Sequence, residues 1–223
     1  MKKKLKILIV EDSKVFAQGL ELLLNQHSLI EQIHLEKDFE GTLDVLKTTP
    51  IDLVILDLNL ETKAYDGTVI SKKIKQLYPA IKILILTENV RIHIYEKLFN
   101  ECMVDAYLDK QSGIEETFKA INEVLEGRKY VDQSIKEMLE IEGWMKASKR
   151  EKEIIAELIK GLTQKEIAEK LYISSKTVEV HIRNLFKKFQ VKNSTELAAK
   201  YVKYINANRE NLEETIPPFK SVN

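Results

Sequence analysis

The first 127 residues alternate short apolar runs with amphipathic segments, and this alternation constrains the fold more than any other feature. The apolar runs occupy residues 5–10, 30–35, 52–57, 81–86 and 105–109. Runs this short are typical of buried strands, whereas the segments between them carry apolar residues at the three- and four-residue spacing of helices. Strands that alternate with helices predict an α/β fold, a doubly wound parallel sheet with helices on both faces.

Acidic, hydroxyl and amine side chains stand at the ends of four of these predicted strands. Glu11 and Asp12 follow the first run, Asp57 closes the third, Thr87 follows the fourth and Lys110 follows the fifth. Because the carboxyl ends of parallel strands meet at one edge of a sheet, we expect these side chains to lie together in a ligand-binding crevice. A solvated strand end is the plain alternative for a single acid, but four strands with complementary ends favour a functional site.

These residue types suit a divalent metal ion and a phosphoryl group. Mg²⁺ prefers oxygen ligands and keeps several waters, so Asp12, Asp57 and the nearby Glu11 could bind it. The ion would offset the charge of the phosphoryl group while Asp57, a weak nucleophile that mainly needs positioning, attacks the phosphorus. The Thr87 hydroxyl and the Lys110 ammonium would then contact the phosphoryl oxygens.

Charge is unevenly distributed, although Lys+Arg and Asp+Glu both number 35. Residues 1–127 contain 16 Lys and Arg against 21 Asp and Glu, and residues 147–209 contain 14 against 7. An acidic front and a basic back indicate two domains with different partners. A basic domain is attracted to phosphate backbones, so nucleic acid is the candidate partner of the second domain.

Composition also narrows the compartment in which the chain would work. No apolar stretch approaches the roughly 20 residues needed to cross a bilayer, so we expect no membrane partner. Cys102 is the only cysteine, which excludes an internal disulfide and fits a reducing cytoplasm. A buried small hydrophobe is the favoured interpretation of that thiol.

The alternating pattern ends at residue 127, and the rest of the chain is predicted to be helical. Residues 128–146 are predicted to form a linker with a helix near 133–141. Residues 147–208 are predicted to form an all-α domain of four helices, near 149–160, 163–171, 175–189 and 194–206. Ser148, Thr163 and Ser175 are the predicted N-caps. Residues 209–223 contain Pro217-Pro218 and little apolar content, so we expect disorder there.

The third helix of this domain has two distinct faces. Four apolar residues form an inward stripe at helical spacing, namely Val178, Ile182, Leu185 and Phe186. The outer face mixes side chains that seek phosphates with side chains that read bases, namely Lys176, Thr177, Glu179, Val180, Arg183, Asn184 and Lys187. The short turn before this helix suits a helix-turn-helix, whose second helix enters the major groove of DNA. Periodicity alone also allows a helical bundle with a solvated basic face.

The α/β half resembles the receiver domain of two-component response regulators. The matching residues are Glu11, Asp12, Asp57, Thr87, Tyr107 and Lys110. The resemblance implies a five-stranded, flavodoxin-like sheet of order 2-1-3-4-5 and Mg²⁺-dependent phosphoryl transfer from a sensor histidine kinase to Asp57. The metal would be bound by Asp12, Asp57 and the Asn59 carbonyl, with Glu11 supporting. Thr87 and Tyr107 would form a switch, although plain core packing is an equal alternative for Tyr107.

The helical half resembles the LuxR-type helix-turn-helix through residues 161–168 (GLTQKEIA) and 174–181 (SSKTVEVH). Together the two halves resemble a NarL/FixJ-family response regulator, a transcription factor and not an enzyme. The resemblance implies that Glu179, Val180 and Arg183 face the bases of double-stranded DNA. It implies phosphate contacts for a second set, namely Lys176, Thr177 and Lys187. A homodimer on two half-sites is the expected arrangement.

Three departures from the family pattern bear on this interpretation. Glu88 stands where the family has a small residue, Met103 and Ala106 replace glycines, and the loop over 57–67 is longer than usual. Glu88 would repel an incoming phosphoryl group, so a DNA-binding regulator whose receiver serves only for dimerisation or docking stays open. An aspartate-nucleophile phosphatase is a remote alternative, because such enzymes need a second acid where this chain has Asn59.

Overall fold

A computed structural model describes residues 4–60, 66–88, 90 and 92–207 of the chain. The chain divides into two compact units, Met1–Lys136 and Glu137–Asn223. The boundary falls inside the segment predicted as a linker. The predicted tail 209–223 and most of the long loop after Asp57 lie outside the described residues.

The first unit is a six-stranded parallel sheet of order β2-β1-β3-β4-β5-β6. Its strands are β1 Leu5–Val10, β2 Ile30–Glu36, β3 Leu53–Leu56, β4 Lys82–Thr87, β5 Ala106–Asp109 and β6 Tyr130–Val131. Its helices are α1 Lys14–Leu24, α2 Phe39–Thr48, α3 Gly67–Leu77, α4 Tyr95–Asn100 and α5 Gly113–Leu125. The predicted α/β class and the order of the first five strands are confirmed.

The sixth strand corrects the predicted count of five. Tyr130 pairs with Ala106 and Val131 pairs with Tyr107, so β6 extends the sheet beyond β5. Two residues are too few to show the period of a strand, and the sequence therefore placed them in the linker. The N–H of Asp132 continues the pairing by donating to the Tyr107 carbonyl at 3.1 Å.

The core of the first unit lies between the sheet and its helices. Strand β3 is buried along its whole length, as expected for a central strand of a parallel sheet. Helix α1 begins after Ser13, whose hydroxyl accepts from the N–H of Phe16, and α2 begins after Asp38, whose carboxylate accepts from the N–H of Gly41. The predicted helix over 91–100 is a 3-10 turn at Ile92–Ile94 followed by α4.

The second unit contains the four predicted helices, α7 Lys149–Leu158, α8 Gln164–Lys170, α9 Ser175–Phe189 and α10 Ser194–Ala207. Ser148 and Thr163 both form capping boxes as predicted. The cap of α9 is Ser174, one residue before the predicted Ser175, because the Ser174 hydroxyl accepts from the N–H of Thr177. Gly161 adopts a left-handed φ of 85° after α7, which is a conformation that favours glycine.

Helix α6, Gln133–Met145, is longer than the helix predicted in the linker, and its end belongs to the core of the second unit. The indole of Trp144 is 1% exposed and stacks on the Phe189 ring with 3.5 Å between centroids. The segment predicted as a linker therefore carries more structure than its sequence indicated. Among the described residues, no helix is both long and apolar enough to cross a membrane.

Candidate functional site

The sheet brings the predicted site residues to one edge. Strands β1, β3, β4 and β5 are neighbours, with Val10 beside Leu56 and Thr87 beside Asp109. The Lys110 ammonium lies 2.6 Å from Glu11 Oε2 and 3.1 Å from Asp57 Oδ2. The ends of β1, β3 and β5 therefore meet, and β4, which lies between β3 and β5, ends at the same edge of the sheet.

Three carboxylates form a cluster at this edge. Glu11, Asp12 and Asp57 each offer an oxygen, and these oxygens lie within 4.8 Å of one another. Asp57 is 6% exposed, and its Oδ1 is buried without a hydrogen-bond partner in the described part of the chain. A buried carboxylate oxygen without a partner is costly, and a hard cation or a phosphoryl group would supply what it lacks. The donor set thus fits a divalent ion of the Mg²⁺ class.

Lys110 supplies a positive charge to the carboxylate cluster. Burial raises the pKa of Glu11 above its ordinary value, against the opposing effect of the Lys110 hydrogen bond and charge. For Lys110, burial acts to lower the pKa, but the hydrogen bond to Glu11 and the charges of Asp57 and Glu11 raise it overall. The amine therefore remains an ammonium and holds two carboxylates close together in a buried place.

The predicted switch residues are both inaccessible. Thr87 and Tyr107 each have 0% of their surface exposed. The amide Nδ2 of Asn59 donates to Thr87 Oγ1 at 3.0 Å, a contact that the sequence did not indicate. The inward Tyr107 ring is compatible with both of its interpretations, and the role of the Asn59 carbonyl stays a prediction.

Phe16 is a site neighbour that sequence reasoning missed. Its ring centroid lies 4.3 Å from the Lys110 ammonium. Phe16 lies on the apolar face of α1 and packs against the core cluster of the sheet. Periodicity shows which face of a helix is buried, but it does not show that a ring on that face also contacts a charge.

Two of the three departures from the family pattern are described in the structure. Glu88 is exposed directly after Thr87. Met103 adopts φ 54°, which lies in the left-handed backbone region that favours glycine. Residues 61–65 of the long loop, which is the third departure, lie outside the described residues.

Gly67 explains how the segment after Asp57 returns to the sheet. The N–H of Gly67 donates to the Leu58 carbonyl at 3.2 Å. A Cβ at this position would lie 2.5 Å from the Asp57 carbonyl oxygen and 2.7 Å from Leu58 Cα. Only glycine permits this approach of α3 to the backbone of Asp57.

In the second unit, α9 presents its polar face to solvent as predicted. Val178 and Ile182 pack against α7 and α8, while Leu185 and Phe189 pack against Trp144 and α10. The outward residues Lys176, Thr177, Arg183 and Lys187 are exposed, and Glu179 and Val180 are half-buried. Of the predicted stripe only Phe186 is not fully buried.

A charge pair lies at the start of the exposed face of α9. Lys176 Nζ lies 2.9 Å from Glu179 Oε2. This hydrogen bond, together with the charges of Lys176 and Arg183, lowers the pKa of the Glu179 carboxyl. The face is therefore basic with one acidic residue, and it suits both phosphate contacts and a base contact.

Family models match both units. One, described as "Response regulator receiver domain", matches residues 7–122, and the other, "Bacterial regulatory proteins, luxR family", matches residues 146–201. The fold and the site thus define a response regulator, with a receiver domain followed by a LuxR-type helix-turn-helix domain.

More specifically, the chain belongs to the NarL/FixJ family of response regulators, and similar proteins span nearly its full length. The oxygen regulatory protein NreC of Staphylococcus epidermidis is 32% identical over 213 residues, covering 86% of this chain and 94% of its own. The nitrate/nitrite response regulator protein homolog of Haemophilus influenzae is 31% identical over 198 residues, covering 86% and 93%.

Solved structures of the RcsB response regulator share the fold. RcsB of Salmonella typhimurium has a TM-score of 0.61 at 24% identity, covering 91% of this chain and 99% of its own. A structure of two RcsB dimers bound to two parallel DNAs has a TM-score of 0.59 at 23% identity, covering 90% and 98%.

Proposed function

We propose that this response regulator binds double-stranded DNA and controls transcription according to whether Asp57 is phosphorylated by a sensor histidine kinase. The observation that carries the proposal is the buried Oδ1 of Asp57, which has no hydrogen-bond partner among the described residues and lies beside two further carboxylates and an ammonium. A structural carboxylate at this depth would have its oxygens satisfied within the protein. An acceptor for a phosphoryl group must keep an oxygen available.

The transfer itself asks little covalent chemistry of the protein. An Asp57 carboxylate oxygen forms a bond to phosphorus as the P–N bond of the phosphohistidine breaks, and the imidazole nitrogen keeps the electron pair. Asp12, Asp57 and the Asn59 carbonyl, supported by Glu11, would hold Mg²⁺, which when bound offsets the charge of the phosphoryl oxygens. Lys110, already 3.1 Å from Asp57 Oδ2, would contact one of those oxygens.

Thr87 and Tyr107 provide the response in this proposal. The Thr87 hydroxyl accepts from Asn59 and retains its own proton to donate to a phosphoryl oxygen on Asp57. Movement of Thr87 toward Asp57 would leave space that the buried Tyr107 ring fills. A local contact would in this way bias one face of the receiver between two arrangements.

The second unit would read the DNA through α9. In this proposal Glu179, Val180 and Arg183 contact base edges, and Lys176, Thr177 and Lys187 contact phosphates. RcsB, which shares the fold, has been solved as dimers on DNA, and we propose a homodimer on paired half-sites for this chain as well.

We place the DNA-binding domain at 147–208 and the receiver at 1–127. A regulator that binds the chromosome works in the cytoplasm.

A test uses the full chain with Mg²⁺ and beryllium fluoride, which mimics a phosphoryl group on aspartate. We expect a stable adduct on the wild type and none on Asp57→Asn, measured by mass spectrometry of the native protein. DNA fragments selected from a random pool should bind the adduct more tightly than the unmodified protein, measured by fluorescence anisotropy. Failure of the wild type to form an adduct would refute the phosphorylation step.

The alternative is a regulator whose receiver is never phosphorylated and serves for dimerisation or docking. The exposed carboxylate of Glu88, next to Thr87, favours it because like charge repels an incoming phosphoryl group. If this alternative holds, DNA affinity will be the same for wild type and Asp57→Asn with and without beryllium fluoride. A Glu88→Ala variant that gains an adduct absent from the wild type would identify the carboxylate as the barrier.

A further inference from the structure

In the described part of the chain the Lys110 ammonium contacts three side chains, and they differ in what they can do during phosphorylation. Two are the carboxylates of Glu11 and Asp57, at 2.6 and 3.1 Å from the ammonium. The third is the ring of Phe16, with its centroid at 4.3 Å. An ammonium over an aromatic face is attracted by the ring quadrupole, and more strongly where water is largely excluded. The Lys110 side chain is only 6% exposed, so this contact is a desolvated one.

We propose that Phe16 is a positioning residue that keeps the Lys110 ammonium at the site while the carboxylates change partners. The inference rests on the proposed function. Under that function Asp57 and Glu11 turn to the metal and to the phosphoryl group, and they can no longer hold the ammonium as they do in this structure. The ring of Phe16 takes part in neither interaction. It therefore holds Lys110 within reach of the phosphoryl oxygens before, during and after transfer.

The backbone around Phe16 fixes the ring relative to the cluster. Ser13 caps α1, and its hydroxyl accepts from the N–H of Phe16 at 3.4 Å. The N–H of Ser13 in turn donates to Glu11 Oε1 at 3.1 Å. The same cap thus orders one oxygen of Glu11 and the first turn that carries Phe16. Phe16 is half-buried and also packs against the core of the sheet.

The chain offers a matched control for a test of this role. Phe118 is also half-buried, packs against the same core cluster and lies 4.7 Å from the His27 ring instead of a site lysine. Phe16→Leu and Phe118→Leu remove similar apolar volume from one core, whereas only the first removes an aromatic face from Lys110. Phe16→Tyr keeps an aromatic face beside Lys110, so it should preserve the positioning of the ammonium.

The experiment measures phosphorylation of the full-length chain by phosphoramidate with Mg²⁺, as a function of donor concentration. We expect Phe16→Leu to lower the maximal rate about 3- to 10-fold, as loss of one desolvated cation–π contact implies, with a smaller change in the donor concentration at half-maximal rate. Phe118→Leu should react like wild type, and Phe16→Tyr should recover most of the rate. Equal rates for Phe16→Leu and Phe118→Leu would overturn the positioning role.

A spectroscopic measurement separates this proposal from the proposed function. The ring current of Phe16 should shift the NMR signals of the Lys110 side-chain methylenes upfield, in the unmodified protein and in the beryllium fluoride adduct. The shift should vanish in Phe16→Leu and return in Phe16→Tyr. Loss of the shift on adduct formation refutes the role of Phe16 alone. A wild type that forms no adduct with beryllium fluoride and accepts no phosphoryl group refutes the proposed function, and the role of Phe16 with it.

Discussion

Asp132 accepts a hydrogen bond from the hydroxyl of Ser112, two residues after Lys110, and its other oxygen accepts from the N–H of Ser134 at 2.8 Å. Asp132 directly precedes α6 and so acts as its N-cap, while it is only 3% exposed. The segment that follows the site lysine is thereby tied to the start of the helix that leads into the second unit.

Replacement of Asp132 by alanine should therefore loosen the first turn of α6. We expect a loss of about 1–2 kcal/mol in the free energy of unfolding, because the cap of α6 and the hydrogen bond from Ser112 both disappear. Hydrogen exchange should become faster at the amide of Ser134. Asp44→Ala, which removes an exposed pair with Lys47, is the control and should change stability little. Unchanged exchange at Ser134 would show that Asp132 does not cap α6.

Gly67 should tolerate no side chain. Gly67→Ala would place a methyl group 2.5 Å from the Asp57 carbonyl oxygen, and we expect a loss of about 1–3 kcal/mol in unfolding free energy from the forced backbone shift. Gly19→Ala on α1 meets nothing within 4 Å, so it should stabilise the chain by about 0.5–1 kcal/mol. Denaturant unfolding measures both. Equal effects of the two substitutions would contradict the close approach at Gly67.

Asp105 should make the first unit sensitive to acid. Burial alone would raise the pKa of Asp105, but the hydrogen bonds from Lys75 (2.7 Å) and from the N–H of Ile83 (3.0 Å), with the charges of Lys75 and Lys82, lower it. A lowered folded-state pKa contributes stability that is present above the unfolded value of about 3.9 and lost as pH falls through the folded value.

Asp105→Asn should consequently cost about 2–3 kcal/mol at neutral pH, since it leaves the nearly buried Lys75 ammonium without its counter-charge. Near pH 3 the cost should be smaller, because this pH lies below the unfolded value of about 3.9, where the stability that comes from the lowered pKa is being lost. Urea unfolding of both proteins at the two pH values measures the difference. A cost that does not change with pH would mean that the carboxylate charge at position 105 contributes nothing.

Met103 should be a site of stored backbone strain. A residue with a side chain pays about 1–2 kcal/mol to adopt its φ of 54°. Glycine would avoid this strain, but its greater conformational freedom in the unfolded chain would offset part of the gain. Met103→Gly should thus raise the unfolding free energy by up to about 1 kcal/mol. Met138→Gly, at a similarly exposed position inside α6, should lower it by about 1 kcal/mol. Thermal unfolding of both variants measures these changes. Destabilisation by Met103→Gly would contradict the strain at this position.

Arg183 and Lys187 should differ in how they affect DNA binding. Both are exposed on α9, one turn apart. Arg183→Ala should weaken binding to a selected fragment by about 1–3 kcal/mol and leave binding to random DNA nearly unchanged, as expected for a base contact. Lys187→Ala should weaken both and reduce the salt dependence. An equal loss on random DNA for Arg183→Ala would make it a phosphate contact.

The sequence was informative wherever a pattern repeats or where strand ends meet. Apolar runs located five strands, and the rule that parallel strands share a carboxyl edge was enough to bring Glu11, Asp57 and Lys110 together. The buried and exposed faces of α9 were also predictable, because Val178 and Ile182 lie on one helical stripe. These features depend on periods of two and of 3.6 residues, which a single sequence displays directly.

Contacts between side chains from distant elements could not be predicted in this way. The hydrogen bond from Asn59 to Thr87 joins residues 28 positions apart, and it depends on how two loops leave their strands. The contact between the Phe16 ring and the Lys110 ammonium depends on how α1 is oriented against the sheet. Strand β6 has only two residues and therefore no period to detect.

The packing of Trp144 on Phe189 gives the chain an internal optical reporter. Trp144 is the only tryptophan of the chain, and it lies in the core of the second unit. Its emission should therefore follow the melting of the helical unit alone, whereas far-ultraviolet circular dichroism follows both units. Non-coincident curves from the two methods would give the separate stabilities of the two halves without any label or truncation.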